Sequence, residues 1–191
     1  MAIYLFLASV VLGMNIIPMF MPPTWTLLAF FVAKYDLSIP LTVLIGASFA
    51  TLGRIVLAEI SKKYLRRFFS KRAQENYETI GRYLNNNKKI TIPLIITYAF
   101  LPIPSNDVFI AAGLAKVKIQ LLAGSFFVGR LISYTFWVSV AQKFSDNLVD
   151  IFSSHYSKFG SIAIEVVGIV LILLIGRISW GKILRKVNNH P

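Results

Sequence analysis

The chain has no cysteine and only two histidines, His155 and His190, which lie far apart in polar segments. Disulfides and thiolate metal sites are thereby excluded, the histidines have no metal-site spacing, and no cofactor or metal is expected. Acid is scarce as well: 8 Asp and Glu stand against 20 Lys and Arg, a net charge of +12. There is no Ser/His/Asp arrangement, phosphate-cradling glycine loop or carboxylate pair of catalytic spacing, so an enzyme is not expected. Charge of either sign is missing from residues 1–33, the first charged residue being Lys34. That stretch exceeds the roughly 20 residues needed to cross a hydrocarbon core. With no Lys or Arg ahead of it, a cleaved signal peptide is not expected.

What is present is apolar. Of 191 residues 56% are hydrophobic, and the mean hydropathy is +0.67, values that predict an all-α, multi-pass integral membrane protein forming a single membrane domain over 1–191. Apolar runs bounded by charge occupy 2–33, 37–58, 90–115, 119–141 and 161–176. Two of these are broken: Pro18, Pro22 and Pro23 interrupt the first, and Pro93, Pro102 and Pro104 the third. A helix interior loses a hydrogen bond and gains a clash at proline, and irregular backbone at membrane depth survives only where protein or a wet cavity shields it. Both runs therefore read as helix, break, helix.

Between them, residues 59–89 carry nine Lys and Arg, with Ile60, Tyr64, Leu65, Phe68, Phe69, Ala73, Tyr77, Ile80 and Leu84 at helical spacing. This predicts a basic amphipathic linker helix along the membrane surface. Attraction to anionic headgroups fits it better than nucleic-acid binding. Basic loops favour the cytoplasmic side, which places 59–89 and the C-terminal tail (Arg177, Lys182, Arg185, Lys186) inside and the charge-balanced segment 142–160 outside. Parity then makes 90–115 a re-entrant hairpin, followed by a span at 119–141 and a final span over 161–180. The Pro-containing part of 17–33 dips in from the opposite face after a short first span. The expected units are thus 13–58 (hairpin plus span), 59–89, 90–141 (hairpin plus span) and 161–180, with about four full crossings.

The halves echo each other. Pro22, Ala29, Ala33 and Lys34 recur as Pro104, Ala111, Ala115 and Lys116 at an offset of 82, and "GASFATLGR" resembles "AGSFFVGR" at an offset near 76. An inverted repeat with paired broken helices, entering from opposite faces, is a transporter-like arrangement.

The order of a proline-rich hairpin, an "LGR" helix, a basic linker, "FLPIPSNDVFIAAG" and then "FVGRLISYTF" resembles the DedA family, also called VTT or SNARE-associated membrane proteins, over residues 13 to 145. The resemblance implies two opposed re-entrant hairpins and a role in moving lipids between leaflets, as scramblase or recycler of polyprenyl-phosphate carriers. Proton-coupled members typically carry acids where this chain has Met14 or Asn15 and Thr24, and arginines where it has Ala99 and Ser105. That coupling machinery does not transfer, which favours a passive or differently coupled translocator.

At the hairpin tips Ser105 or Asn106 is placed to cap the helix after Pro104, and Pro22-Pro23-Thr24 has the same grammar. A helix N-terminus there presents N–H donors and partial positive charge to a phosphate. Asp107 reads either as first-turn cap or as a proton or cation site. Arg54 and Arg130 read as snorkelling or ion-paired residues or as phosphate contacts. Glu165 reads as interfacial or, with Asp107, as a coupling residue. Gly46, Gly53, Gly124 and Gly129 suit close helix packing. The function expected is lipid translocation through a polar groove. The alternatives are a proton- or ion-coupled small-solute exporter and a non-transporting membrane organiser. Partners are membrane lipids, anionic or phosphate-bearing, with no nucleic acid; oligomerisation is left open.

Overall fold

The computed structural model describes residues 1–17, 22–101 and 105–143 and the single positions 170, 174 and 177. Among the described residues the regular structure is entirely helical. Helices α1 (Ala2–Ile16), α2 (Thr24–Tyr35) and α3 (Ile39–Lys63) are followed by a 3-10 turn, Leu65–Phe68, and by α4 (Lys71–Asn86). Helices α5 (Lys88–Phe100), α6 (Asn106–Leu114) and α7 (Ile119–Lys143) follow. The order short, short, long therefore occurs on each side of α4. At about 1.5 Å per residue, the four short helices measure roughly 14–22 Å and α3 and α7 about 38 Å. Two segments, Ile39–Phe68 and Ile119–Lys143, are long and apolar enough to cross a membrane.

The segment expected to form a short first span is helix α1, and it packs against α2. The Ser38 N–H donates to the Tyr4 hydroxyl at 3.3 Å, the Phe6 and Phe31 rings lie 6.0 Å apart, and Asn15 Nδ2 donates to Thr24 Oγ1 at 3.2 Å. Helix α1 thus runs antiparallel to α2 and starts beside the start of α3. The two helices form an antiparallel pair over residues 2–35. Sequence could not distinguish these paths, because an uncharged arm and an uncharged crossing have the same composition. Of the four expected crossings, two long helices lie among the described residues. The loop 142–160, the span 161–180 with Glu165, most of the basic tail, and Pro18, Pro102 and Pro104 fall outside them.

Pro22 and Pro23 separate α1 from α2 as expected, with Pro23 in extended backbone at the head of α2. Pro93 does not break its helix: α5 continues through it. The carbonyl that Pro93 leaves unbonded is that of Lys89, an exposed residue one turn earlier, where solvent or headgroups replace the missing donor.

The linker is not one helix over 59–89. Helix α3 continues to Lys63, the chain turns at Tyr64–Phe69, and α4 restarts at Ser70, whose hydroxyl accepts from the Ala73 N–H. Helix α4 is fastened to the corner between α6 and α7. Its Glu78 accepts from Arg66 and Lys116, each at 2.6 Å, and Arg66 also donates to the Leu114 carbonyl at 2.8 Å. Asn85 Oδ1 accepts from the Lys118 N–H at 2.8 Å, and Tyr77 is buried beneath. Lys116 adopts a left-handed conformation at the end of α6, as Asp36 does at the end of α2.

Two apolar cores flank the middle of the molecule. One joins Leu7, Val11, Leu28, Phe31, Val43, Ala47, Tyr134 and Val138; the other joins Leu57, Ala58, Ile95, Phe109, Leu122 and Phe126. Helix α3 supplies its earlier residues to the first and its later ones to the second, while α7 does the reverse. The two long helices are therefore antiparallel. Each also packs on the first arm of its own hairpin and the second arm of the other.

Candidate functional site

Arg54 and Arg130 stand where the long helices pass from one core to the other. Each is only 7% exposed. The glycine before each arginine brings a hairpin arm against the long helix: a Cβ on Gly53 would lie 2.7 Å from the Asn15 Cβ, and one on Gly129 would lie 2.6 Å from the Ala99 Cβ. This close approach delivers polar groups to the guanidinium of Arg54. Gly124 has open space at the same test, so the close packing expected of it is not found.

Arg54 Nη1 donates to the Asn15 carbonyl at 3.3 Å and to Asn106 Oδ1. Asn15, 2% exposed, spends its side-chain amide on the Val11 carbonyl at 2.8 Å and on Thr24 Oγ1. Arg130 Nη2 donates to Ser105 Oγ at 3.3 Å, and its guanidinium lies 4.9 Å from the Phe126 ring centre and 5.3 Å from that of Tyr134. The Nε of both arginines is buried and has no hydrogen-bond partner among the described residues. Asp107, half-buried in the first turn of α6, and Tyr98 lie close enough to Arg54 to couple with it electrostatically.

The structure thus brings Thr24, Arg54, Ser105, Asn106, Asp107 and Arg130 into one polar layer between the cores. Ser105 occupies the N-cap position of α6 but makes no capping bond with its side chain; its hydroxyl serves Arg130 instead. Thr24 likewise does not cap α2, and its hydroxyl accepts from Asn15. Asn15 itself is missing from the expected site. Its signals in sequence were a lone amide in an otherwise apolar, uncharged stretch and its place at or beside a position where the resemblance expects an acid.

Aromatic rings flank this layer. Trp25, beside Thr24, stacks on Trp137 with ring centres 5.5 Å apart, and Trp137 Nε1 donates to the Phe100 carbonyl at 3.4 Å, tying the head of α2 to the end of α5. Chemically, two buried guanidiniums and the N-terminus of a nine-residue helix form an anion-attracting centre. Guanidinium forks match phosphate and carboxylate oxygens in pairs. Burying two cations in apolar surroundings is costly unless polar groups surround them. Among the described residues no group of His, Cys, Asp and Glu is arranged to hold a metal ion. Comparison of the chain with protein-family models, with characterised proteins and with solved structures finds no match.

Proposed function

We propose that the protein is a multi-pass membrane lipid translocator of DedA-like architecture, in which the two hairpins are re-entrant and pass anionic headgroups through the polar layer between them. One observation carries this reading: Arg54 and Arg130, from antiparallel long helices, converge on the head of α6, each with a buried Nε that has no partner among the described residues. The arms of both hairpins are shorter than the roughly 30 Å hydrocarbon core, so their tips end within it. The exchange of arms between the halves, and the antiparallel α3 and α7, support an inverted repeat. The basic face of α4 supports a cytoplasmic position for that helix. In that frame α1 and α2 enter from outside and α5 and α6 from inside. A phosphate pauses at the arginine pair while the acyl chains stay in the bilayer.

The test is leaflet exchange of a fluorescent phosphatidylglycerol in proteoliposomes without any ion gradient, read by quenching of the outer-leaflet dye. Wild type is expected to exchange lipid, and Arg54→Gln combined with Arg130→Gln to slow exchange at least ten-fold. Unchanged exchange in the double variant, or solute flux that needs a gradient and disappears in Asp107→Asn, overturns the reading.

A further inference from the structure

The second hairpin holds a cavity. Beside the core that joins Ile95 of α5 to Phe109 of α6, the space between these arms, closed on one side by α4, has a volume of about 360 Å³. That is within the size range of sites that hold small molecules, about 300–1,000 Å³. Its walls are almost wholly apolar: Ile80 and Leu84 from α4, Leu94 and Ile95 from α5, Ala111 and Ala112 from α6. We propose that this cavity seats one hydrocarbon chain of the same anionic lipid whose phosphate binds at the arginine pair; the inference rests on the translocator reading and extends it to the substrate's tail.

Three observations converge on that occupant. The first is the mouth. Leu94 lines the cavity yet is 58% exposed, and Ile90, one turn earlier on α5, is 53% exposed. The opening therefore gives onto an apolar helix face, and a membrane-embedded apolar face meets lipid tails. The second is the inner end. Tyr98 and Val108 line the cavity, and Val108 follows Asp107 in the first turn of α6, the helix whose head receives Arg54 and Arg130. The inner end of the cavity therefore abuts the helix head that carries the anion centre. The third is the lining itself: α6 presents Ala111, Ala112 and Ala115 to the cavity, and such small side chains leave the space open, as a site for a removable chain requires.

The experiment uses the full chain in liposomes of phosphatidylcholine and phosphatidylglycerol with a trace of phosphatidylglycerol bearing a photoactivatable diazirine on one acyl chain. Adducts are mapped by peptide mass spectrometry. Wild type is expected to be labelled on α5 and α6 at the cavity wall, and Ala111→Phe to lower that label at least five-fold while label at the exposed Ile132 of α7 stays constant. If Ala111→Phe does not fold, Leu94→Trp at the mouth is read the same way. Label confined to the exposed apolar faces, or equal in wild type and the filled variant, overturns the proposal. A diazirine-bearing diacylglycerol, which has the chains without the phosphate, is expected to label the cavity several-fold less. That preference is expected to vanish in Arg54→Gln/Arg130→Gln; equal labelling by both probes in wild type overturns the link to the arginines. Because cross-linking does not require transport, cavity label without leaflet exchange rejects the translocator function alone.

Discussion

The two hairpins share a plan and differ in what fills them. In the first, Phe31, Leu28, Leu7 and Val11 close the space between the arms. In the second, alanines of α6 face α5 across a cavity, and α4 covers the gap. Their tips differ as well. Among the described residues the head of α2 receives the neutral amide of Asn15, whereas the head of α6 receives Arg54 from one half and Arg130 from the other. Two elements of common layout thus differ in chemistry: the second carries the charge and the cavity. Symmetry of the backbone does not require symmetry of chemistry, because a few side chains decide whether an interior is filled and which tip is positive.

The sharpest way to break this comparison is to change the filling of each hairpin. Phe31→Ala is expected to destabilise the protein by about 3 kcal/mol, as large core truncations do. Ala111→Leu, which adds volume where the cavity already offers it, is expected to leave stability unchanged or raise it. Thermal unfolding in detergent, followed by helical circular dichroism, checks both; equal losses in the two hairpins would remove the distinction between them.

The cover of the second hairpin gives the next effect. The backbone of α4 passes so close to the Ala115 carbonyl that any side chain at Gly81 collides with it. Gly81→Ala is therefore expected to cost about 1–3 kcal/mol and to loosen α4, seen as faster protease cleavage within 71–86 and unaltered cleavage elsewhere. The difference between tips gives a smaller effect. Ser105→Ala removes an acceptor from Arg130 and is expected to lower stability by about 1 kcal/mol and to slow lipid exchange a few-fold. Thr24→Ala, at the neutral tip, is expected to change exchange less, a ranking that the leaflet assay reads directly.

The smallest effect is in pH. Hydrogen bonding from Lys116, with the further charge of Arg66, holds the Glu78 carboxyl below its ordinary value near 4.5. A carboxylate with a depressed folded-state value stabilises fully above its unfolded value and loses that contribution as pH falls through the folded one. The clasp of α4 is therefore expected to be intact from neutral pH down to about 4.5 and to weaken only below it. Glu78→Gln is expected to remove this dependence. Hydrogen exchange of α4 amides against pH measures it, and loosening between pH 5 and 7 would contradict it.

Much of this organisation was legible from the residues in order. Uncharged runs, prolines at Pro22 and Pro23, and the glycine–arginine pairs at 53–54 and 129–130 announce helices, breaks and polar points in long helices, because each follows from backbone geometry or the cost of burying charge. The basic linker was legible in kind though not in extent: helical periodicity continues past Lys63, while the turn at Tyr64–Phe69 depends on how the chain packs. The path of α1 was not legible, since nothing in an uncharged helix marks which face of a bilayer it starts from. Ser105 and Thr24 were identified as site residues, but neither side chain caps its helix: the Ser105 hydroxyl accepts from Arg130 of α7 and that of Thr24 from Asn15 of the adjacent α1.

By itself, then, the sequence determined the all-helical class, the apolar character and the break at Pro22 and Pro23, which are local matters of propensity and solvation. Tertiary structure alone decided that Arg54 and Arg130, 76 residues apart, meet at one helix head, that Asn15 joins them, and that a cavity opens beside the core of the second hairpin. Those outcomes depend on how helices cross and how side-chain volumes sum in three dimensions, and neither quantity is written at any single position of the chain.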